Sequence, residues 1–266
     1  MLFSPCKFCG CDNVFSFLIT RKKRSIEYFR CDNCKAISLS DKEFLSISQQ
    51  LHRYSQHNNF LTDLGYAQFL GDFLLNTFTF LPNFTLSRIL DYGSGPNPAL
   101  VELLGLVSQQ QRSGKSTWED CEFKEISSLD SYVDYLAHKL PFLPSKNDIG
   151  GWDPFFAPDG IKVQVPLVLC LEVAEHFEKP WDGFAGLAEC CCVGGYVAVG
   201  TLQIPDTMVT TEDFKKWWYK DDRTHVSFYT EKAMEACGKK CGLQYLGKAS
   251  PRIFMFKKLE DAPTKN

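Results

Sequence analysis

The chain has 266 residues, a formal net charge of −3 and a hydrophobic content of 44%, including 22 Phe. This length suits one catalytic domain with a small attachment. Because the positive and negative charges nearly cancel, the chain as a whole is not attracted electrostatically to nucleic acid. No apolar run is long enough to span a membrane. Positive charge is nevertheless concentrated in residues 1–58, where nine Lys or Arg face five acids.

The first residues, MLFSPCKFCG, lack the apolar core of a secretion signal. Without such a signal, the 12 cysteines indicate free thiols and metal binding rather than a disulfide framework. We therefore expect a cytoplasmic protein that does not associate with membranes.

Residues 1–40 contain two C-x-x-C turns separated by 21 residues, with two strand-like segments, VFSFLIT and SIEYFRC, between them. Each turn can supply two thiolates to a tetrahedral metal site, so the pattern predicts a zinc ribbon. Cys11 could compete with Cys9, but the matched spacing favours Cys9. The basic turn at 21–24 could contact phosphates or simply be solvated. The predicted zinc ligands are Cys6, Cys9, Cys31 and Cys34.

Residues 41–82 are predicted to form a helical connector and a helix that leads into the catalytic domain. Tyr54 and His57 are three residues apart, so a helix would place them on one face, where they could line the mouth of that domain. A polar helix end capped by Asn is an equally good interpretation. From Phe60 to Phe80 the apolar residues recur at helical spacing, which indicates a core-packing helix.

The stretch SRILDYGSGPNPAL, residues 87–100, organises the rest of the chain. A short apolar strand ends at Asp91, and Gly93 and Gly95 follow, which allows a sharp turn and close approach of a ligand. Pro98 can open the next helix. Because Pro98 also occupies the third glycine position of the dinucleotide fingerprint, the motif does not predict NAD binding. A glycine-rich turn without any ligand is the alternative.

Further polar residues follow the later predicted strands. Asp153 lies in the turn GGWDPFFAPDG, and a buried strand at 167–171 is followed by Glu172, Glu175 and His176. Carboxyl ends of parallel strands share one sheet edge, so these side chains should lie near the glycine loop. For His176 alone, an equally good interpretation is that its ring only forms hydrogen bonds within its own loop and has no role in a site.

A loop rich in aromatic residues carries His225, whose ordinary pKa near neutrality suits proton transfer. The polar segment at 109–149, which contains one predicted helix, is taken as an insertion. A final helix at 231–241 and strands at 243–248 and 252–257 complete the predicted sheet.

These motifs occur in one order: the ribbon, Y-x-x-H-x-N, D-x-G-x-G-P, D-P-F-F, E-V-x-E-H and D-x-T-H-V-x-F-Y. Together they resemble a largely uncharacterised, bacterial-type group of class I S-adenosylmethionine-dependent methyltransferases with an N-terminal zinc ribbon. The resemblance implies an α/β, Rossmann-like sheet of seven strands over residues 83–266. The implied strand order is 3-2-1-4-5-7-6, with strand seven antiparallel. Because about six residues, 160–165, separate the second acid turn from strand four, strand three must be short or missing.

The resemblance also implies roles for individual residues. Asp153 would accept both ribose hydroxyls of the cofactor through its two carboxylate oxygens. His225 is the first choice for the base that takes the acceptor's proton, and His176 is the second. Glu172 and Glu175 would position ligands or hold a divalent ion. The implied cofactor-binding residues are Asp91, Gly93, Gly95, Asp153, Pro154 and Glu172, and the implied substrate-binding residues are Tyr54, His57, Glu175 and Tyr219.

The function implied is transfer of a methyl group from S-adenosylmethionine to an oxygen or carbon of a small-molecule acceptor, with one structural Zn²⁺ in the ribbon. Two alternatives stay open. One is an RNA-modifying methyltransferase whose basic ribbon holds phosphates. The other is a non-catalytic module that binds the cofactor only as a structural ligand.

Overall fold

The computed structural model describes residues 4–21, 24–56, 59–81, 86–114, 126–160, 163–205, 207–208 and 210–259. Its strands are β1 (Val14–Arg21), β2 (Arg24–Cys31), β3 (Ile37–Leu39), β4 (Ile89–Tyr92), β5 (Ile149–Trp152), β6 (Val165–Leu171), β7 (Cys191–Gly200), β8 (Ser227–Phe228), β9 (Leu243–Ser250) and β10 (Ile253–Lys258). Its α-helices are α1 (Ile47–Tyr54), α2 (Leu64–Phe80), α3 (Ala99–Ser113), α4 (Leu129–Lys139), α5 (Pro180–Cys190), α6 (Thr211–Lys216) and α7 (Glu231–Lys240).

The central sheet has the order β5-β4-β6-β7-β10-β9. The first four strands are parallel, whereas β10 is antiparallel to both of its neighbours. This α/β arrangement is the implied methyltransferase order without its third strand. The described residues place six strands in this sheet, so the count of seven is not reached and strand three, expected to be short or missing, is not among them. Between β5 and β6 the chain makes a tight turn instead, in which Asp153 and Ala157 form an isolated bridge.

Helices cover both faces of the central sheet because successive side chains of a buried strand point to opposite sides. On β4, Ile89 belongs to the core formed with α2, α3 and α4, while Leu90 belongs to the core formed with α5 and α7. The segment predicted as an insertion, 109–149, overlaps two helices of the core. Its first residues continue α3 to Ser113, and α4 packs against α2 and α3 as part of the core.

The N-terminal hairpin β1–β2 belongs to a second sheet, of order β1-β2-β3-β8. Its fourth strand comes from the catalytic region, since Ile37 and Ser38 of β3 pair with Phe228 and Ser227 of β8. Residues of the N-terminal turns also share the hydrophobic core of α5 and α7. The Phe8 ring packs edge-on against Tyr229, with the ring centroids 5.1 Å apart. The two predicted units are therefore joined by one sheet and one core.

Among the described helices, none combines the length and the apolar character that crossing a lipid bilayer requires.

Candidate active site

The loop after β4 approaches its neighbours so closely that it requires glycine. Gly93 has a φ of +83°, and a Cβ atom there would lie 2.5 Å from the Val173 side chain. Gly95 also has a positive φ, +68°. The backbone N–H groups of Gly93 and Ser94 donate to the carbonyl oxygen of Trp152, at 2.7 and 3.1 Å. These bonds hold the glycine loop against the end of β5.

Asp153 links the same two loops through its side chain. Its Oδ2 accepts a hydrogen bond from the Gly95 N–H at 3.0 Å, while Oδ1 accepts from the N–H groups of Phe155 and Phe156 at 2.8 and 3.1 Å. A carboxylate offers about four acceptor sites, and three are used here. One site remains for a ligand, so pairing of Asp153 with both ribose hydroxyls, which stays a prediction, would require one backbone donor to give way.

A cavity of about 820 Å³ opens at the carboxyl edge of the parallel strands, where the sequence places its polar residues. The cavity is lined by ten of the predicted residues: Tyr54, Asp91, Gly93, Gly95, Asp153, Pro154, Glu172, Glu175, His176 and His225. His57 lies outside the described residues.

Tyr219 is misplaced by the sequence prediction, because it is buried and is not among the residues that line the cavity. Its hydroxyl donates to Glu172 Oε2 at 3.2 Å and lies 3.1 Å from the Thr201 hydroxyl. Its ring centroid lies 4.3 Å from that of His225. Tyr219 therefore supports two cavity residues from behind and does not contact a ligand in the cavity.

Two carboxyl groups in the cavity have raised pKa values. Burial, reinforced by the charge of Asp153, raises the pKa of Asp91 to about 7. Burial and then the charge of Glu175 raise the pKa of Glu172 to about 8, although Arg252 opposes the shift. Glu172 also has a φ of +52°, a conformation that side chains other than glycine rarely adopt and that is strained. A cationic ligand would relieve the repulsion among these groups.

The two histidines meet at the wall of the cavity, with ring centroids 4.9 Å apart. The Nδ1 of His176 lies 2.9 Å from the carbonyl oxygen of Thr224, and the Nδ1 of His225 lies 2.7 Å from that of Tyr219. Because a carbonyl can only accept, each Nδ1 must carry the hydrogen, which in a neutral ring leaves a lone pair on Nε2. Burial lowers the pKa of His176, which favours the neutral form, although Glu175 acts in the opposite direction.

An ion pair that the sequence analysis missed ties α1 to the loop that carries His225. The Arg53 guanidinium donates to Asp222 Oδ2 at 2.6 and 3.2 Å, and Thr224 donates to Oδ1. Burial alone would raise the pKa of Asp222, but these hydrogen bonds hold it well below its usual range. The partners are 169 residues apart, so no local spacing could have indicated the pair.

A family model described as a methyltransferase domain matches residues 64–247, well over half of the chain. The chain belongs to this family. The motif order predicted membership of this methyltransferase-domain family. The matched region contains the glycine loop, Asp153, both glutamates and both histidines of the cavity.

Solved structures similar to this methyltransferase include an O-methyltransferase family protein from Burkholderia thailandensis, with 11% identity, coverage of 80% of this chain and 63% of that one, and a TM-score of 0.43. Another is an O-methyltransferase family 2 protein from Planctomyces limnophilus in complex with apigenin, with 12% identity, coverage of 84% and 75%, and a TM-score of 0.41. A third is the YcgJ protein from Bacillus, with 15% identity, coverage of 67% and 69%, and a TM-score of 0.37.

The methyltransferase spans about three fifths of the length of the first of these proteins. A search of curated proteins gives no match.

The four predicted metal ligands of the methyltransferase lie N-terminal to the matched region and form one cluster. The Sγ atoms of Cys6 and Cys34 are 3.7 Å apart, and those of Cys9 and Cys31 are 3.6 Å apart. Tetrahedral zinc with Zn–S distances of about 2.3 Å separates its sulfur ligands by about 3.8 Å, so this spacing fits Zn²⁺. The hydrogen bond from the Cys34 thiol lowers the pKa of Cys6, and this hydrogen bond and burial raise the pKa of Cys34, so without metal the pair favours a single thiolate.

The ribbon also positions one wall of the methyltransferase cavity. The Leu39 N–H donates to the carbonyl oxygen of Val226 at 2.8 Å, and the Val226 N–H donates to the carbonyl oxygen of Glu175 at 2.8 Å. Val226 directly follows His225, so the backbone of this histidine is held between β3 and the loop after β6. Disorder in the ribbon should therefore disturb the histidine pair.

Proposed function

We propose that this methyltransferase binds S-adenosylmethionine in the cavity and transfers its methyl group to an oxygen or carbon of a small-molecule acceptor. The observation that carries the proposal is the pairing of the glycine loop, Gly93 to Gly95, with a cluster of buried carboxyls at one sheet edge. Glycine lets a ligand approach the backbone. Once ionised, the buried Asp91 and the neighbouring Glu172 would favour a cation such as a sulfonium cofactor at this edge.

The size and lining of the cavity support a small acceptor. A volume of about 820 Å³ lies within the usual range of about 300–1,000 Å³ for small-molecule sites. Aromatic side chains stand beside the histidines, since the Tyr54 ring centroid lies 5.4 Å from His176 and 5.7 Å from Phe155. Such a wall can hold an acceptor by apolar contact while an imidazole faces its reacting atom.

The chemistry is a direct displacement. S-adenosylmethionine, which the glycine loop and Asp91 would hold, would supply the methyl group, and its sulfur would keep the electron pair of the sulfur–carbon bond as the oxygen of a hydroxyl acceptor bonds to the methyl carbon. The neutral Nε2 of His225, or of His176 beside it, takes the hydroxyl proton. The protein's contribution is to hold the two reactants in line and away from water, and to accept that proton.

Recognition of RNA by the ribbon is a weaker proposal, because several cations in the described part of the N-terminal region are paired with acids. Lys7 pairs with Asp41, and Arg24 pairs with Glu43. The central lysines of the basic turn, residues 22 and 23, lie outside the described residues. We also propose one structural Zn²⁺ held by the four clustered cysteines, whose main effect is to stabilise the ribbon.

Two measurements test the function. Calorimetry should show binding of S-adenosylmethionine and not of NAD. Incubation with methyl-labelled cofactor should then place the label in the small-molecule fraction of a cell extract. Label that enters only RNA, together with a steep loss of binding as salt increases, would support the RNA alternative instead. Binding without any conversion of the cofactor to S-adenosylhomocysteine would support the non-catalytic module.

A further inference from the structure

Three electron-pair donors converge at the wall of the cavity where the two histidines meet. One ligand atom from each of Glu175, His176 and His225 lies within 4.8 Å of the other two. The Oε1 of Glu175 is 4.0 Å from the Nε2 of His176. That distance is too long for a hydrogen bond, so a proton does not bridge this pair.

Glu175 is fully buried, and only one of its two oxygens is satisfied. Oε2 accepts a hydrogen bond from the Thr201 hydroxyl at 2.7 Å. Oε1 has no hydrogen-bond partner within the part of the chain that the structure describes. A buried, unpaired carboxylate oxygen is costly, and it is expected to have a partner that the protein chain does not supply.

Neither histidine can supply a donor to that oxygen in its neutral form. Both rings give their Nδ1 hydrogen to a backbone carbonyl, of Thr224 and Tyr219 respectively, so each retains a lone pair on Nε2. Metal-binding histidines are commonly oriented in this way, by a hydrogen bond from the ring nitrogen that does not bind the metal. Oε1 of Glu175 and the Nε2 atoms of the two histidines are thus all hydrogen-bond acceptors. None of the three carries a hydrogen that it could donate to another.

We propose that Glu175, His176 and His225 bind a divalent transition-metal cation, and that this cation also binds the hydroxyl oxygen of the methyl acceptor. Two imidazoles and one carboxylate suit Mn²⁺, Fe²⁺ or Zn²⁺ better than Mg²⁺, which prefers oxygen ligands. Ligand distances of about 2.1 Å place the ligand atoms about 3.0–3.4 Å apart. The three side chains therefore need to close by roughly an ångström around the cation.

This inference rests on the proposed function. It narrows the acceptor from an oxygen or a carbon to an oxygen, because a metal cation at this point would bind a hydroxyl group. Three protein ligands leave coordination positions open, and a hydroxyl bound there becomes more acidic. Its proton then leaves to water, the oxygen forms the bond to the methyl carbon, and the sulfur keeps the electron pair of the bond that breaks. In this step the histidine Nε2 atoms bind the cation, and this role replaces the proton-accepting role that they have in the metal-free reaction proposed above.

Other neighbouring groups are already engaged, which limits the site to three protein ligands. Glu172 accepts hydrogen bonds from Tyr219 and from Arg252, the latter at 3.1 Å. Asp222 is held by Arg53 and Thr224. Glu178, at the exposed rim of the cavity, accepts from Gln50 at 3.0 Å and provides a matched control carboxylate.

The test uses Mn²⁺, because the soft four-cysteine cluster has little affinity for it. Protein that carries one zinc per chain, in the four-cysteine cluster, is titrated with MnCl₂, with and without S-adenosylmethionine, and the free Mn²⁺ signal is followed by electron paramagnetic resonance. We expect one site per chain, at least tenfold weaker affinity in Glu175→Gln, and wild-type affinity in Glu178→Gln. Added Mn²⁺ should also increase methyl transfer to a hydroxyl acceptor.

Failure to bind Mn²⁺ by wild-type protein that still binds S-adenosylmethionine would overturn the metal site and leave the proposed function standing. Equal affinities in Glu175→Gln and wild type would also overturn it. Loss of S-adenosylmethionine binding by the wild type would instead overturn the proposed function. If Glu175→Gln does not fold, His225→Gln, a change at a partly exposed position, replaces it with the same expected loss.

Discussion

Substitution of Asp153 by Asn tests whether the two loops of the cofactor site are joined before any ligand binds. The amide can still accept from Phe155 and Phe156 through its oxygen, but its NH₂ group must then face the Gly95 N–H. One backbone donor loses its partner, which costs about 1–3 kcal/mol. We therefore expect the free energy of unfolding of the ligand-free protein to fall by about that amount.

The affinity for S-adenosylmethionine should fall as well, because the glycine loop is no longer held in place. A disturbance of about 1.4 kcal/mol in that loop reduces the affinity tenfold. Urea unfolding can be followed through the fluorescence of the five Trp residues, and calorimetry gives the affinity. The control is Asp159→Asn, which makes the same change in charge at an exposed position nearby.

The reasoning would be refuted if Asp153→Asn weakened cofactor binding without changing the unfolding free energy. Both carboxylate oxygens would then be free in the ligand-free protein. The pairing of Asp153 with two ribose hydroxyls, which the sequence resemblance implies, would become the better account.

Three further predictions concern metal, catalysis and pH. Elemental analysis should find tightly bound zinc that is lost in Cys6→Ser and retained in Cys191→Ser; zinc-free wild-type protein would contradict the ribbon site. His225→Ala should lower turnover by roughly 10²–10⁴-fold with nearly constant cofactor affinity, and a loss of only a few-fold would remove this imidazole from the reaction. Binding of S-adenosylmethionine, whose sulfonium is a cation, should lower the raised pKa values of Asp91 and Glu172, which are about 7 and about 8 in the ligand-free protein. Protons are then released on binding, so the affinity should increase as the pH rises toward 8; identical calorimetric enthalpies in buffers of different ionisation heat at pH 7 would refute this.

Local spacing was sufficient to predict the individual elements. The helix predicted at 231–241 and the strands predicted at 243–248 and 252–257 agree with α7, β9 and β10 to within about two residues. The four cysteines cluster as two matched turns, and Cys11 lies outside the cluster. Such features depend on a few neighbouring residues, through side-chain periodicity, turn geometry and ligand spacing, so the sequence is enough to determine them.

The sequence also predicted that the polar residues meet at one edge of the sheet. Residues that directly follow parallel strands must meet there, which is why Asp91, Asp153 and Glu172 line one cavity. The missing third strand could be inferred as well, because the chain between the second acid turn and the next strand is too short to hold it.

Only the tertiary structure decided how these side chains are used. Asp153 accepts three backbone hydrogen bonds, Tyr219 lies behind the cavity wall, and β8 completes the sheet of the ribbon. Each fact depends on residues far apart in the chain that packing brings together, and on the competition of several donors for one acceptor. The unpaired Oε1 of Glu175 beside two histidines likewise results from packing between residues that are far apart in the chain. A sequence shows which groups can form hydrogen bonds, whereas the packed structure decides which of those groups are left without a partner.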